Sequence, residues 1–136
     1  MVLEETGSIF GLSEINVFYE EPVYNAMHWR VDNKPVEQCF LSYAGTSHFR
    51  QLFDENNLAV IHGTNNLQFA CPEAYEVLKE MQITAAIIYR MDSGIPGYIT
   101  FYKEEQASRL WSDADIMYLN LIGKMIALVL GSKQAE

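Results

Sequence analysis

The stretch "WSDADIMYLNLIGKMIALVLG", Trp111 to Gly131, constrains the fold more than any other part of the chain. At 100° per residue, Asp113, Asn120, Lys124 and Gly131 align in one narrow polar or small strip, and most of the remaining circumference is apolar. Such a helix needs cover on more than one side. Lipid does not supply it: the longest unbroken apolar run is Met125–Leu130, against the ~20 residues a bilayer requires. Protein therefore surrounds it. Ile116, Leu119, Ile122, Met125, Ile126, Val129 and Leu130 are apolar, and one stripe can pack on a sheet, whereas Met117, Leu121 and Leu128 form a second stripe left over. Gly123, Ala127 and Gly131 recur every four residues, a spacing that permits close approach. Ser112 is a good N-cap, Asp115 three residues on completes a capping box, and Gly131 reads as the stop.

The segments that would supply that cover alternate in period two. In "EINVFYEE" Ile15, Val17 and Tyr19 share a face, and "VYNAMHWRV" from Val23 to Val31 reads as the returning strand of a hairpin. "LAVIH" is a short strand. Pro72 suits the first turn of a helix "PEAYEVLKEMQ" whose apolar stripe is Ala74, Val77, Leu78 and Met81. "ITAAIIYRM" is apolar on both faces, so it belongs inside a sheet covered twice, and "GYITFYKEE" pairs back on it. "SHFRQLFDENN" carries a short helical spacing at Phe49, Leu52 and Phe53, and residues 2–10 read as the end of an N-terminal helix weakened by Gly7 and Gly11. A sheet with helices around it, in one domain spanning 1–136, is an α+β fold.

Charge and motif content exclude several functions. The net charge of −9 repels phosphate backbones and anionic bilayers, so neither nucleic acid nor membrane insertion is expected. Cys39 and Cys71 lack metal or redox spacing, and the N-terminus lacks a basic region of the secretory kind; both point to a reducing cytoplasm. His28, His48 and His62 lie in separate segments without metal spacing, and no GxGxxG, P-loop or GxSxG pattern occurs. No enzyme is expected.

The second half, from "EAYEVLKEMQITAAIIYRM" through "GYITFYKEE" to Trp111-Ser112-Asp113-Ala114-Asp115 and the long helix, resembles the carboxy-terminal half of a GAF domain. The first hairpin resembles that family's opening strands more loosely. The resemblance implies a central antiparallel sheet with terminal helices (residues 1–11 and 112–131) on one face and a ligand cavity on the other. It also implies dimerisation through those helices and a covalently linked output domain following the last helix, such as a diguanylate cyclase, a histidine kinase or a transcription regulator. Cys71 is followed by Pro72 and Cys39 by Phe40, so the Cys-His dipeptide of bilin attachment is absent. "FDENN" is contiguous, unlike the scattered signature of cyclic-nucleotide-binding relatives. Two cysteines are too few for the sulfoxide reductases that share the fold. No cofactor is named by the sequence.

The expected ligand-binding residues are Trp29, Tyr43, His48, Phe49, His62, Tyr75, Tyr89, Arg90 and Phe101, which combine apolar walls with polar anchors, Arg90 pairing an anionic group. The expected dimer face is Met117, Leu121, Lys124 and Leu128. Its alternative occupant is the segment 2–10 of the same chain. The function expected is small-molecule sensing in a signalling protein; the alternative is a ligand-free structural dimerisation module.

Overall fold

The computed structural model describes residues 2–20, 23–30, 51–63, 67–80, 82–91, 97–104 and 111–135. Helix α1 (Val2–Phe10) leads into strands β1 (Glu14–Glu20) and β2 (Val23–Arg30). After β3 (Leu58–Ile61) come the short helix α2 (Leu67–Ala70), helix α3 (Pro72–Glu80), strands β4 (Ile83–Met91) and β5 (Gly97–Glu104), and helix α4 (Asp113–Ala135). The strands form one antiparallel sheet in the order β2-β1-β5-β4-β3. This is the α+β architecture that the hydrophobic pattern implies.

Alternation along each strand sorts the side chains into two layers. Ile15, Val17, Leu58, Ala85, Ile87, Met91, Ile99 and Phe101 meet Leu119 and Ile126 of α4, with Phe10 of α1 at the edge. Ala59, Ile61, Ile83, Ala86, Ile88, Tyr98 and Tyr102 meet Ala74, Tyr75 and Leu78 of α3 on the opposite face. Strand β4 therefore has apolar cover on both sides, as its composition requires. The terminal helices share one face.

Two glycines allow helices to approach the sheet closely. A β-carbon on Gly7 would fall 2.2 Å from the Trp29 ring, and one on Gly123 would fall 3.1 Å from Tyr89. The glycine that weakens α1 as an isolated helix is thus the place where α1 seats on β2. Gly123, whose spacing permits close approach, takes it against Tyr89 of β4.

Helix α4 begins as expected. The Ser112 amide donates to Asp115 Oδ2 at 3.1 Å and the Asp115 amide donates to Ser112 Oγ at 3.0 Å. Just before it, buried Trp111 donates from Nε1 to the Ile61 carbonyl at 3.0 Å, with Lys103 Nζ 4.5 Å above its ring. The helix does not stop at Gly131; it continues to Ala135. An interior glycine costs only about 1 kcal/mol, and helix-forming Lys133, Gln134 and Ala135 follow it.

Gln51 and Leu52 lie in a turn and Phe53 and Asp54 in no helix, while Phe49, where the helical spacing begins, lies outside the described residues. The Asp54 carboxylate accepts from the amides of Asn56 (2.8 Å) and Leu58 (3.0 Å), and Asn57 adopts φ 63°. "FDENN" is a turn that starts β3. Among the described residues, no helix is long and apolar enough to cross a membrane.

Candidate functional site

The α3 face of the sheet is divided. Its β3–β4 half is apolar and lies under α3, through Ala59, Ile61, Ala86 and Ile88. Its β1–β2 half is polar, because the residues between Ile15 and Val17, and between Ile99 and Phe101, point to this side. Strand register stacks them in two adjacent rungs across β2, β1 and β5. One rung is Arg30–Glu14–Tyr102, the other His28–Asn16–Thr100.

Most of this cluster is out of solvent. Glu14 is 3% exposed, Asn16 5% and Thr100 0%, whereas His28 at the β2 edge is exposed. Arg30 Nη1 pairs with Glu14 Oε1 at 2.7 Å, and Asn16 Nδ2 donates to Glu14 Oε2 at 2.8 Å. Asn16 Oδ1 and Thr100 Oγ1 are among the buried side-chain polar atoms without a hydrogen-bond partner within the described residues, as is Asn120 Oδ1 on α4. Leaving such a group unmade costs about 1–3 kcal/mol. A buried polar group left in this way calls for a partner such as a bound water, an ion or a ligand.

The residues expected to line a cavity do not all meet. Tyr75 is buried in the α3 layer, its ring 5.5 Å from Lys79 Nζ. Arg90 is half-buried on the same face, opposite Tyr98 in the β4–β5 ladder. His62 is exposed just beyond β3. Trp29, Tyr89 and Phe101 pack in the layer of α1 and α4, and the sheet separates them from Tyr75. Tyr43, His48 and Phe49 lie outside the described residues.

Glu14, Asn16, Arg30 and Thr100 were missed by sequence reasoning. The signal was present. Polar residues at period two read as a solvent face, yet Glu14, Asn16 and Thr100 are buried, which makes this polar rung a candidate site.

Cys71 is buried in the apolar half of the α3 face and accepts a hydrogen bond from Gln51 Nε2 at 3.2 Å. Among the described residues, no group of three or more His, Cys, Asp or Glu side chains could hold a metal ion.

The face of α4 turned from the sheet is apolar. Leu128 is 72% exposed and Met125 63%, and Met117, Leu121 and Val129 are also exposed. Lys124 is exposed among them. Helix α1 does not cover this stripe: it meets α4 near Tyr118, whose ring centroid lies 6.5 Å from that of Phe10.

No protein-family model matches the sequence, and no curated protein matches it. Solved structures do match in shape. The red-absorbing state of NpR6012g4, a red/green cyanobacteriochrome, is similar over 96% of this chain and 90% of its own, with a TM-score of 0.69 at 15% identity. The photoproduct state of GAF3 from Slr1393 of Synechocystis aligns over 97% of this chain and 90% of its own, with a TM-score of 0.67 at 14% identity. A phycocyanobilin-bound GAF domain from a cyanobacterial phytochrome aligns over 94% of this chain and 79% of its own, with a TM-score of 0.70 at 12% identity. At such identities the likeness concerns shape alone: this chain has the fold of those GAF domains.

Proposed function

We propose that this chain is the sensory input domain of a signalling protein. It binds a small molecule on the polar half of the α3 face and transmits occupancy through its terminal helices. The single observation that carries the reading is the buried pair Asn16 Oδ1 and Thr100 Oγ1, without a hydrogen-bond partner among the described residues and opposed across β1 and β5. Similar structures lend support, since one of them holds a bound biliverdin and another a bound phycocyanobilin. In this chain the ligand is held without a covalent bond, since neither Cys39 nor Cys71 is followed by the histidine of bilin attachment. The domain binds its ligand and performs no chemistry on it.

Strand β2 links the site to α1. Arg30 engages Glu14 on one face, and the preceding residue, Trp29, rests against Gly7 on the other. A ligand that binds more tightly to one placement of β2 biases α1 by that difference in affinity and no more. The receiver of that signal is an output domain such as a diguanylate cyclase, a histidine kinase or a transcription regulator. A thermal-shift screen with cyclic nucleotides, amino acids and small organic molecules tests the binding claim. A binder at 100 times its Kd should stabilise the fold by about 2.7 kcal/mol. A screen in which nothing raises the melting temperature opposes it.

The exposed α4 stripe supports a homodimer built on Met117, Leu121, Lys124 and Leu128, and it also supports the second reading, a dimerisation module without ligand. Leu128→Glu should convert the dimer to a monomer in light scattering while leaving the melting temperature of the fold within a few degrees, because a charge there opposes association more than folding. A wild-type monomer at high protein concentration would defeat both dimer readings.

A further inference from the structure

The polar half also selects the class of its ligand, an inference that rests on the reading of that half as a ligand site. Glu14 uses both carboxylate oxygens within the protein, one on Arg30 at 2.7 Å and one on Asn16 Nδ2 at 2.8 Å. A carboxylate only accepts, so Asn16 must turn its amino group to Glu14 and its carbonyl oxygen away. Arg30 anchors Glu14, and Glu14 sets the orientation of the Asn16 amide. The atom of this network that the described residues leave without a partner is one acceptor, Asn16 Oδ1.

Thr100 stands directly opposite Asn16 in the β1–β5 ladder. Residues opposed in this way have β-carbons about 4.5–5.5 Å apart, so two polar groups on neighbouring atoms of a ligand can reach both side chains. The Asn16 oxygen requires a donor from the ligand. The Thr100 hydroxyl takes either polarity.

We propose that the site takes an uncharged ligand with an N–H donor beside a second polar group, the arrangement found along the edge of a cyclic amide, imide or ureide. A carboxylate or phosphate has no proton for Asn16 Oδ1 and meets the Glu14 carboxylate close behind it. An ammonium group would bring a second cation to a network in which Arg30 already balances Glu14. Arg90, on the same face beside Tyr98, is the group through which the competing anionic class would bind.

Hydantoin and uracil, as uncharged N–H donors, are compared with cyclopentanecarboxylate and cyclopentylamine by NMR titration of the full chain, following the Asn16 side-chain amide. Hydantoin or uracil should move that signal, with affinity reduced ~10-fold by Thr100→Val, the loss of one hydrogen bond. Thr100→Ser keeps the hydroxyl and should bind as the wild type does. Equal binding by wild type and Thr100→Val overturns the proposal. Preference for cyclopentanecarboxylate, abolished by Arg90→Met, overturns the uncharged class and leaves the ligand site standing. Cyclopentylamine binding more tightly than the cyclic amides does the same. No perturbation by any of the four overturns the proposal, and if the wider small-molecule screen is also blank the ligand site falls with it.

Discussion

Arg30→Ala is expected to lower the unfolding free energy by about 3 kcal/mol, read as a drop in the urea midpoint at unchanged slope. The physical reason is Glu14. Its carboxylate is 3% exposed, and Arg30, whose side chain is 14% exposed, is the cation that pairs with it. Removing the guanidinium leaves a buried charge uncompensated, and the low end of the usual 3–5 kcal/mol applies because Arg30 itself touches solvent. A double replacement, Glu14→Leu with Arg30→Met, should recover most of that loss, since well-packed apolar residues often replace a buried pair at no net cost. It should not recover ligand binding, because Asn16 would have nothing to orient its amide. Stability and binding would then part. That outcome would mean that the pair serves the site. A loss below about 0.5 kcal/mol for Arg30→Ala, the range of exposed pairs, would mean that Glu14 is solvated and the site open.

Phe101→Ala is expected to cost about 3–5 kcal/mol, seen in the same denaturation experiment, and Phe101→Leu less than about 1.5 kcal/mol. Phe101 is fully buried on the central strand β5, between Ile15 of β1 and Ile87 of β4 in register, and packs in the layer of α1 and α4. Its ring fills the seam where the terminal helices meet the sheet. The conservative Phe101→Leu variant should therefore bind small molecules as the wild type does. Were its affinity to fall as far as that of a Thr100 variant, the division of the sheet into a helix layer and a ligand face would be mistaken.

The same residue shows how far the amino-acid pattern reaches. Period-two alternation locates β1, β2, β4 and β5, and the capping box at Ser112 and Asp115 locates the start of α4, because these are local and depend on a few neighbouring residues. Which face of the sheet a side chain takes is not local. Tyr89 and Arg90 are adjacent in sequence and go to opposite layers, as do Trp29 and Arg30. A list of aromatic residues drawn from several strands therefore mixes the two faces until the helices are known to lie on one of them. Glu14 and Asn16 escaped for the complementary reason: alternating polar residues on an early strand imply solvent, and only pairing with β5 reveals that their side of the sheet is buried. Gly7 and Gly131 show a third limit. Intrinsic propensity weakens a helix at both, yet seating against Trp29 retains the first, and good helix formers carry α4 past the second.

The exposed stripe of α4 was legible from the start, since Met117, Leu121 and Leu128 fall on the side away from Leu119 and Ile126 by helical geometry alone. Its length beyond Gly131 was not. The helix runs on to Ala135.

The central claim is that ligand binding belongs to the polar half of the α3 face. Its most direct test is a backbone and side-chain NMR map of the full chain with the first compound that stabilises it. The account predicts shift changes centred on Glu14, Asn16, Arg30 and Thr100, with weaker ones relayed through Trp29 to Gly7. Changes centred on Tyr89, Phe101 and Leu119, with Asn16 and Thr100 unmoved, would contradict it.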